Sequence, residues 1–228
     1  MKKTIYTLNI DDYSPEITDL TYPLIKRWAN KIQADFYVID RRVFPKHYAP
    51  VYEKLQIYDL QYERGDDWSI FIDSDALVHT DMWDPTEFLH KDTVAHNGCD
   101  MAANRWRYDK YFRRDGRHIG SCNWFTVASD WCRDLWRPLE DITYEEALEN
   151  IFPLQDELRT VITRDHLIDD YTLSRNIAKF GLHFTTIIKM MQDMGDVGNY
   201  FWHQYTIDVP TKVTEMKQVL QNWGVSAK

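Results

Sequence analysis

Two hydrophobic periods alternate along the N-terminal third of the chain. Residues 4–10 form a β-rich run that ends in the polar loop Asp11-Asp12-Tyr13-Ser14-Pro15, where Ser14 and Pro15 stand as cap and first-turn residue of a helix. Ile17, Leu20, Leu24, Trp28 and Ile32 then recur at the spacing of a helix with one buried face. Pro23 inside that pattern predicts a kink or a restart, because proline lacks the N–H that the helix ladder needs. Residues 36–40 read as a second strand. Val51, Leu55, Tyr58 and Tyr62 mark one face of a second helix, which Gly65-Asp66-Asp67 stops. Ser69-Ile70-Phe71-Ile72 is a compact apolar run of the kind found in a strand covered on both faces, and it leads directly into Asp73-Ser74-Asp75.

This strand–helix order predicts a parallel sheet whose ligands gather beyond the carboxyl ends of its strands. Asn9, Asp40 and Asp73 all emerge at that edge. Further on the signals are mixed: strands at 101–103, 122–128 and 183–188, and helices at 129–136, 144–150 and 170–180. The second of these helices sits behind the capping box Thr143-Tyr144-Glu145-Glu146. No repeat, low-complexity tract or Gly/Ser linker interrupts the chain, so residues 1–228 are expected to form one α/β domain with a mixed central sheet.

Composition narrows the function. With 228 residues, 44% hydrophobic and 14% aromatic, the chain can bury one sizeable core. A formal net charge of -9 argues against a surface built to bind nucleic acid or anionic lipid. It also means that any phosphorylated ligand must find positive charge locally, from a cation, a lysine or arginine clamp, or a helix N-terminus. Cys99, Cys122 and Cys132 are odd in number and lack CxxC spacing, which supports small buried hydrophobes over disulfides or a zinc site. No apolar run reaches the roughly 20 residues that cross a bilayer, and the apolar part of residues 1–9 is too short for a signal peptide, so a cytoplasmic location is expected.

Two carboxylates one residue apart at the end of a buried strand can both offer oxygen to one hard cation. A DxD in an acidic chain is often no more than a solvated turn. Here Ile70-Phe71-Ile72 before it and Ala76-Leu77-Val78 after it fence the acids with apolar residues, which solvation alone does not explain.

Residues 70–78, preceded by a helix carrying Tyr52-Glu53-Lys54-Leu55, resemble the donor-binding half of GT-A glycosyltransferases, particularly galactosyltransferase-like enzymes. The resemblance covers roughly the first ninety residues and implies a nucleotide-sugar binding half at 1–90 and an acceptor half at 91–228. It implies that Asp73 and Asp75 bind Mn2+ or Mg2+ against the donor diphosphate, with Asp75 the firmer ligand and Asp73 reaching metal or ribose. The ion then acts as a Lewis acid on the leaving nucleoside diphosphate. Family members complete the shell with a late histidine, for which His203 in Tyr200-Phe201-Trp202-His203 is the candidate, although the Gly and Lys-Pro that trail it in some branches are absent.

By the same resemblance Thr7, Leu8 and Asn9 cradle the nucleotide, Asp40 accepts from base or ribose, Ser74 lies between the acids, and Lys54 reaches the diphosphate or a DxD carboxylate. Asp169 and Asp170 open a helix, where the dipole favours anions in any case, and one of them is expected to contact the sugar or remove the acceptor proton. Their segment departs from the DQD-x-L-N form of retaining branches, so stereochemistry cannot be read from it. Residues 123–127 resemble the family's second-half strand, which implies that Asn123 faces the acceptor side. The basic, aromatic-rich segment 105–118 suits either a flap gripping an anionic ligand or a solvated hairpin.

The partners implied are a UDP-sugar donor and a glycan, lipid-linked or other hydroxyl acceptor, with a nucleic-acid acceptor not favoured. Three other classes fit less well. A haloacid-dehalogenase-like phosphatase also ends a strand in DxD, but its nucleophile strand is usually N-terminal and Thr or Val usually stands where Leu77 does. A sugar nucleotidyltransferase needs a Gly-rich loop after the first strand, which is missing. A non-catalytic carbohydrate-binding module accords with 9 Trp and 14 Tyr, and would bind glycan without metal.

Overall fold

The computed structural model describes residues 1–97, 124–152, 163–204 and 207–226. The strand expected at 101–103, Cys99, Cys122, Asn123 and the basic segment 105–118 lie outside the described residues.

Strand β1 (Lys3–Leu8) lies between β2 (Asp35–Ile39) and β3 (Trp68–Ile72), parallel to both. Helix α1 (Pro15–Lys31) makes the first crossover. It buries Ile17, Leu24, Ile25 and Trp28, and burial of each such side chain contributes about 1.5–3 kcal/mol. That packing carries the helix through Pro23 as one element, so of the kink or restart the sequence predicted there, no restart occurs.

The second crossover begins as a 3-10 turn (Pro50–Gln56) and becomes helical only at α2 (Ile57–Arg64), which Gly65 ends in the left-handed conformation at φ 63°. The change of winding turns the expected face. Tyr52, Glu53, Lys54, Leu55, Ile57 and Gln61 are buried, whereas Tyr62, expected on the buried face, is 75% exposed.

Beyond β3 the sheet turns mixed. The dipeptide β4 (Leu77–Val78) leaves it, and β5 (Thr93–His96) and β6 (Phe125–Ser129) extend it in the order β2-β1-β3-β6-β5-β7. Strand β6 is antiparallel to β3 and β5, and β7 (His183–Thr186) is parallel to β5. The strand signal at 183–188 thus stops early, because Thr186 caps a helix there.

Helix α3 (Tyr144–Glu149) carries the expected capping box, with Thr143 and Glu146 bonded reciprocally. The segment after β6 is a 3-10 turn (Asp130–Trp136), and α4 (Ile168–Phe180) is buried along most of its length. Helix α5 (Ile187–Met194), the dipeptide β8 (Phe201–Trp202) and α6 (Val209–Trp223) follow. Strands β4 and β8 pair antiparallel as a separate two-stranded sheet. Helix α6 packs Met216 and Leu220 against Ile17, Leu24 and Leu77, so it is seated beside the segment that follows Asp75. No helix among the described residues is long and apolar enough to cross a membrane.

Candidate active site

Strands β1, β2 and β3 end at one edge, and side chains lock the loops leaving it. The Asn9 N–H donates to the Ile39 carbonyl at 2.8 Å. The Tyr22 hydroxyl donates to the Leu8 carbonyl at 2.7 Å, the Ser74 hydroxyl donates to the same carbonyl, and the Thr21 hydroxyl donates to the Ser74 carbonyl at 2.6 Å. Ser74 is therefore turned into the protein and buried, and the carboxylates on either side of it are less buried. Asp11 and Asp12 adopt left-handed backbone at φ 56° and 55°, and the Arg42 guanidinium grips Asp11 at 2.6 Å, joining the loops after β1 and β2.

Distant segments converge on the two acids. Strand pairing sets Leu77 opposite Trp202, which places His203 beside Asp75, with Nε2 3.4 Å from Oδ1. Trp124 serves both sides. Its carbonyl accepts the Asp73 N–H at 2.8 Å, and its ring stacks on the His203 imidazole with centroids 5.0 Å apart and planes 18° apart. The other Asp75 oxygen forms an ion pair with Lys212 of α6, a side chain only 8% exposed, and the Tyr13 hydroxyl lies 3.5 Å from it. Lys54, 1% exposed, places its ammonium 3.4 Å from Asp73 and 2.7 Å from Asp169, with the Phe71 ring 4.3 Å away.

Their different neighbours, not burial, drive the two acids apart electrostatically. Asp73 is raised to about 6, chiefly by burial, with Asp75 adding to the rise and Lys54 opposing it. Burial also pushes Asp75 upward, but the hydrogen bond and charge of His203, together with Lys212, hold it well below the usual carboxylate range. Lys54 is raised: burial favours its neutral form, and the carboxylates of Asp169 and Asp73 outweigh it. Tyr13 is raised by burial and by Asp75.

No protein-family model and no curated protein matches the sequence. Among solved structures, a glycosyltransferase involved in glycosylation of the major capsid of PBCV-1 is 12% identical, covering 95% of this chain and 100% of its own at a TM-score of 0.51. The galactosyltransferase LgtC, solved in complex with donor and acceptor sugar analogs, is 14% identical, with 95% of each chain covered and a TM-score of 0.52. The chain has the GT-A glycosyltransferase fold. At these identities the likeness is one of fold.

In this GT-A frame, Asp73, Asp75 and His203 each present one donor atom within 4.8 Å of the others. Lys54 and Asp169 join the cluster through Asp73. Asp170 is 2% exposed on the first turn of α4. Thr7 and Leu8 are buried in β1, and Asn9 follows with its side-chain oxygen buried and without a hydrogen-bond partner among the described residues. Asp40 stands apart: its side chain is 70% exposed at the end of β2, 3.8 Å from Arg41. Lys212, Trp124 and Tyr13 escaped the sequence reading. A lysine on an amphipathic helix and a tryptophan in an apolar strand carry no local mark of their partners, whereas Tyr13 could have been suspected from its place in the loop after β1.

Proposed function

We propose that this chain is a metal-dependent glycosyltransferase that moves a sugar from a nucleotide-diphosphate donor, most plainly a UDP-sugar, to an acceptor hydroxyl. The observation that carries this reading is the convergence of Asp73, Asp75 and His203 within 4.8 Å at the carboxyl edge of the sheet, in a chain with the fold of two glycosyltransferases. The likeness favours transfer over the phosphatase alternative.

The donor set fits Mn2+ or Mg2+. Two carboxylate oxygens and one imidazole nitrogen suit a hard to borderline ion, and a 4.8 Å spread is close to the ~4 Å that separates opposite ligands around one such ion. A divalent ion held by Asp73, Asp75 and His203 would neutralise the leaving nucleoside diphosphate, a stabilisation of about several kcal/mol.

The chain's own residues prepare the rest. Asp75, held low by the His203 hydrogen bond and the Lys212 ammonium, stays charged at neutral pH. Trp124 fixes the plane of the His203 ring, and Lys54 orients Asp73 and Asp169 together. Lys212 adds the local positive charge that an acidic protein needs near a diphosphate. The unpartnered Asn9 oxygen suits a nucleobase N–H, with Thr7, Leu8 and Ser74 shaping the floor of that site and Asp40 open to the ribose. Asp169 or Asp170 contacts the sugar or takes the acceptor proton. Residues 1–90 and 91–228 act as donor and acceptor halves of one domain.

A thermal-shift screen of nucleoside diphosphates with and without Mn2+ tests this. Stabilisation by UDP that requires the ion, and that Asp75→Asn removes, is the expected result; equal stabilisation in EDTA counts against it.

A further inference from the structure

At the opposite edge of the sheet, where β3 begins, lies a cavity of about 530 Å³. The turn Gly65-Asp66-Asp67 and the 3-10 segment after β6 form its walls, brought together because Trp68 pairs with Ser129. Asp67 and Asp73 bracket the five residues of β3, so the cavity is on the order of 20 Å from the DxD acids. Its volume falls within the range of about 300–1,000 Å³ typical of small-ligand sites.

Two large rings flank it in water. Trp131 is 66% exposed and Tyr62 is 75% exposed, although folding had every incentive to bury both. The Arg133 guanidinium sits 4.9 Å from the Tyr62 ring centre and 4.5 Å from that of Tyr58, bracing the phenol from one side. Lys91 stands 5.8 Å from the Trp131 ring centre.

The charges in the walls are arranged for a neutral guest. Asp134 is paired with Arg137 at 2.6 Å, Asp130 with Lys91 at 3.0 Å, and Asp67 with Lys91 at 3.6 Å. Asp66 accepts from the Tyr6 hydroxyl at 2.6 Å and pairs with Lys2 at 3.3 Å. An added phosphate would meet four carboxylates. Arg133, by contrast, has no carboxylate in ion-pair range among the described residues, and its guanidinium donates to the Tyr58 hydroxyl at 3.4 Å. Exposed ring faces beside planar guanidinium and carboxylate groups match a molecule with apolar C–H faces and a rim of hydroxyls. A pyranose has that form.

We infer that this cavity is a second carbohydrate-binding site, remote from the reacting centre, in which Trp131 and Tyr62 take the faces of a neutral oligosaccharide and Arg133 addresses its hydroxyls. Binding there requires neither the metal cluster nor the donor. For an enzyme acting on a long glycan, it would hold a distant part of the acceptor and raise the local concentration of its reactive end.

The test is NMR titration of the 15N-labelled protein with maltohexaose, cellohexaose and chitohexaose, followed at the Trp131 indole N–H, which the Trp131→Ala spectrum assigns. At least one hexasaccharide is expected to shift that signal in the wild type and equally in Asp75→Asn. Binding is expected to weaken about tenfold or more, read from calorimetry, in Trp131→Ala and again in Tyr62→Ala. Both rings are exposed, so two independent variants guard against one that misfolds. Failure of all three sugars to move the indole signal would overturn the inference. So would binding lost in Asp75→Asn and kept in Trp131→Ala, which belongs to the active edge, or a response confined to a basic peptide such as nona-arginine.

Discussion

Replacing Lys54 by methionine should show how the reacting edge is held together. The ammonium is 1% exposed and lies between Asp73 at 3.4 Å and Asp169 at 2.7 Å, so methionine fills the space but strands two carboxylates in a site from which water is largely shut out. Removing one partner of a buried ion pair destabilises by about 3–5 kcal/mol, a large share of the roughly 5–15 kcal/mol that holds a domain folded. For a chain of this size, each 1 kcal/mol moves Tm by about 2–4 °C, so a fall of about 6–20 °C is expected. Urea unfolding of the metal-free protein measures the free-energy loss, and thermal unfolding the fall in Tm. The double variant Lys54→Met/Asp169→Asn should recover part of the loss, because it leaves one fewer unpaired charge buried, and the cycle gives the coupling directly. A loss below about 1 kcal/mol, or single-variant effects that simply add, would mean that the three side chains act independently and that the buried bridge is not a unit.

Other consequences follow from the same geometry. Metal binding needs Asp73 deprotonated, and because its folded-state value is raised to about 6, Mn2+ affinity in His203→Ala, where no ligand imidazole is left to protonate, should begin to fall as pH drops below 7 rather than near 4; a Mn2+ titration of that variant flat down to pH 5 would contradict this. Lys212 and a divalent ion compete for Asp75, so Lys212→Met should bind Mn2+ about tenfold more tightly in the absence of nucleotide by calorimetry, and unchanged affinity would show that the ammonium steps aside freely. Thr143→Ala breaks the reciprocal capping bonds ahead of α3 and should lower stability by about 1 kcal/mol in urea unfolding; no change would mean that this helix is held by packing alone.

Local pattern reached the parts of the molecule built from neighbours in sequence. The runs at 4–10 and 69–72 read as strands because burial on one or both faces writes a period into the chain, although the first strand ends at Leu8, and Gly65 marked the end of α2 through its left-handed backbone. The buried apolar strand leading into Asp73 likewise exposed the DxD as more than a surface turn. Pattern failed where winding or pairing changed the rule. The 3-10 entry into α2 rotated Tyr62 out of the face its spacing implied, and β5 offers only four residues whose strand character rests on partners at 126–127 and 183–186. His203 was nameable from family resemblance, but its place beside Asp75 depends on a two-residue ladder between β4 and β8. Lys212 lies 137 residues from its carboxylate, and only the packing of α6 against α1 and Leu77 brings it there.

In the proposed mechanism Asp73, Asp75 and His203 hold one divalent ion against a nucleoside diphosphate. A crystal grown with UDP and MnCl2, with diffraction recorded at the manganese absorption edge, tests it most directly. One anomalous peak among those three side chains, touching the diphosphate oxygens and missing from Asp75→Asn, is the expected result. UDP bound in the same crystal with no anomalous peak among them would contradict it.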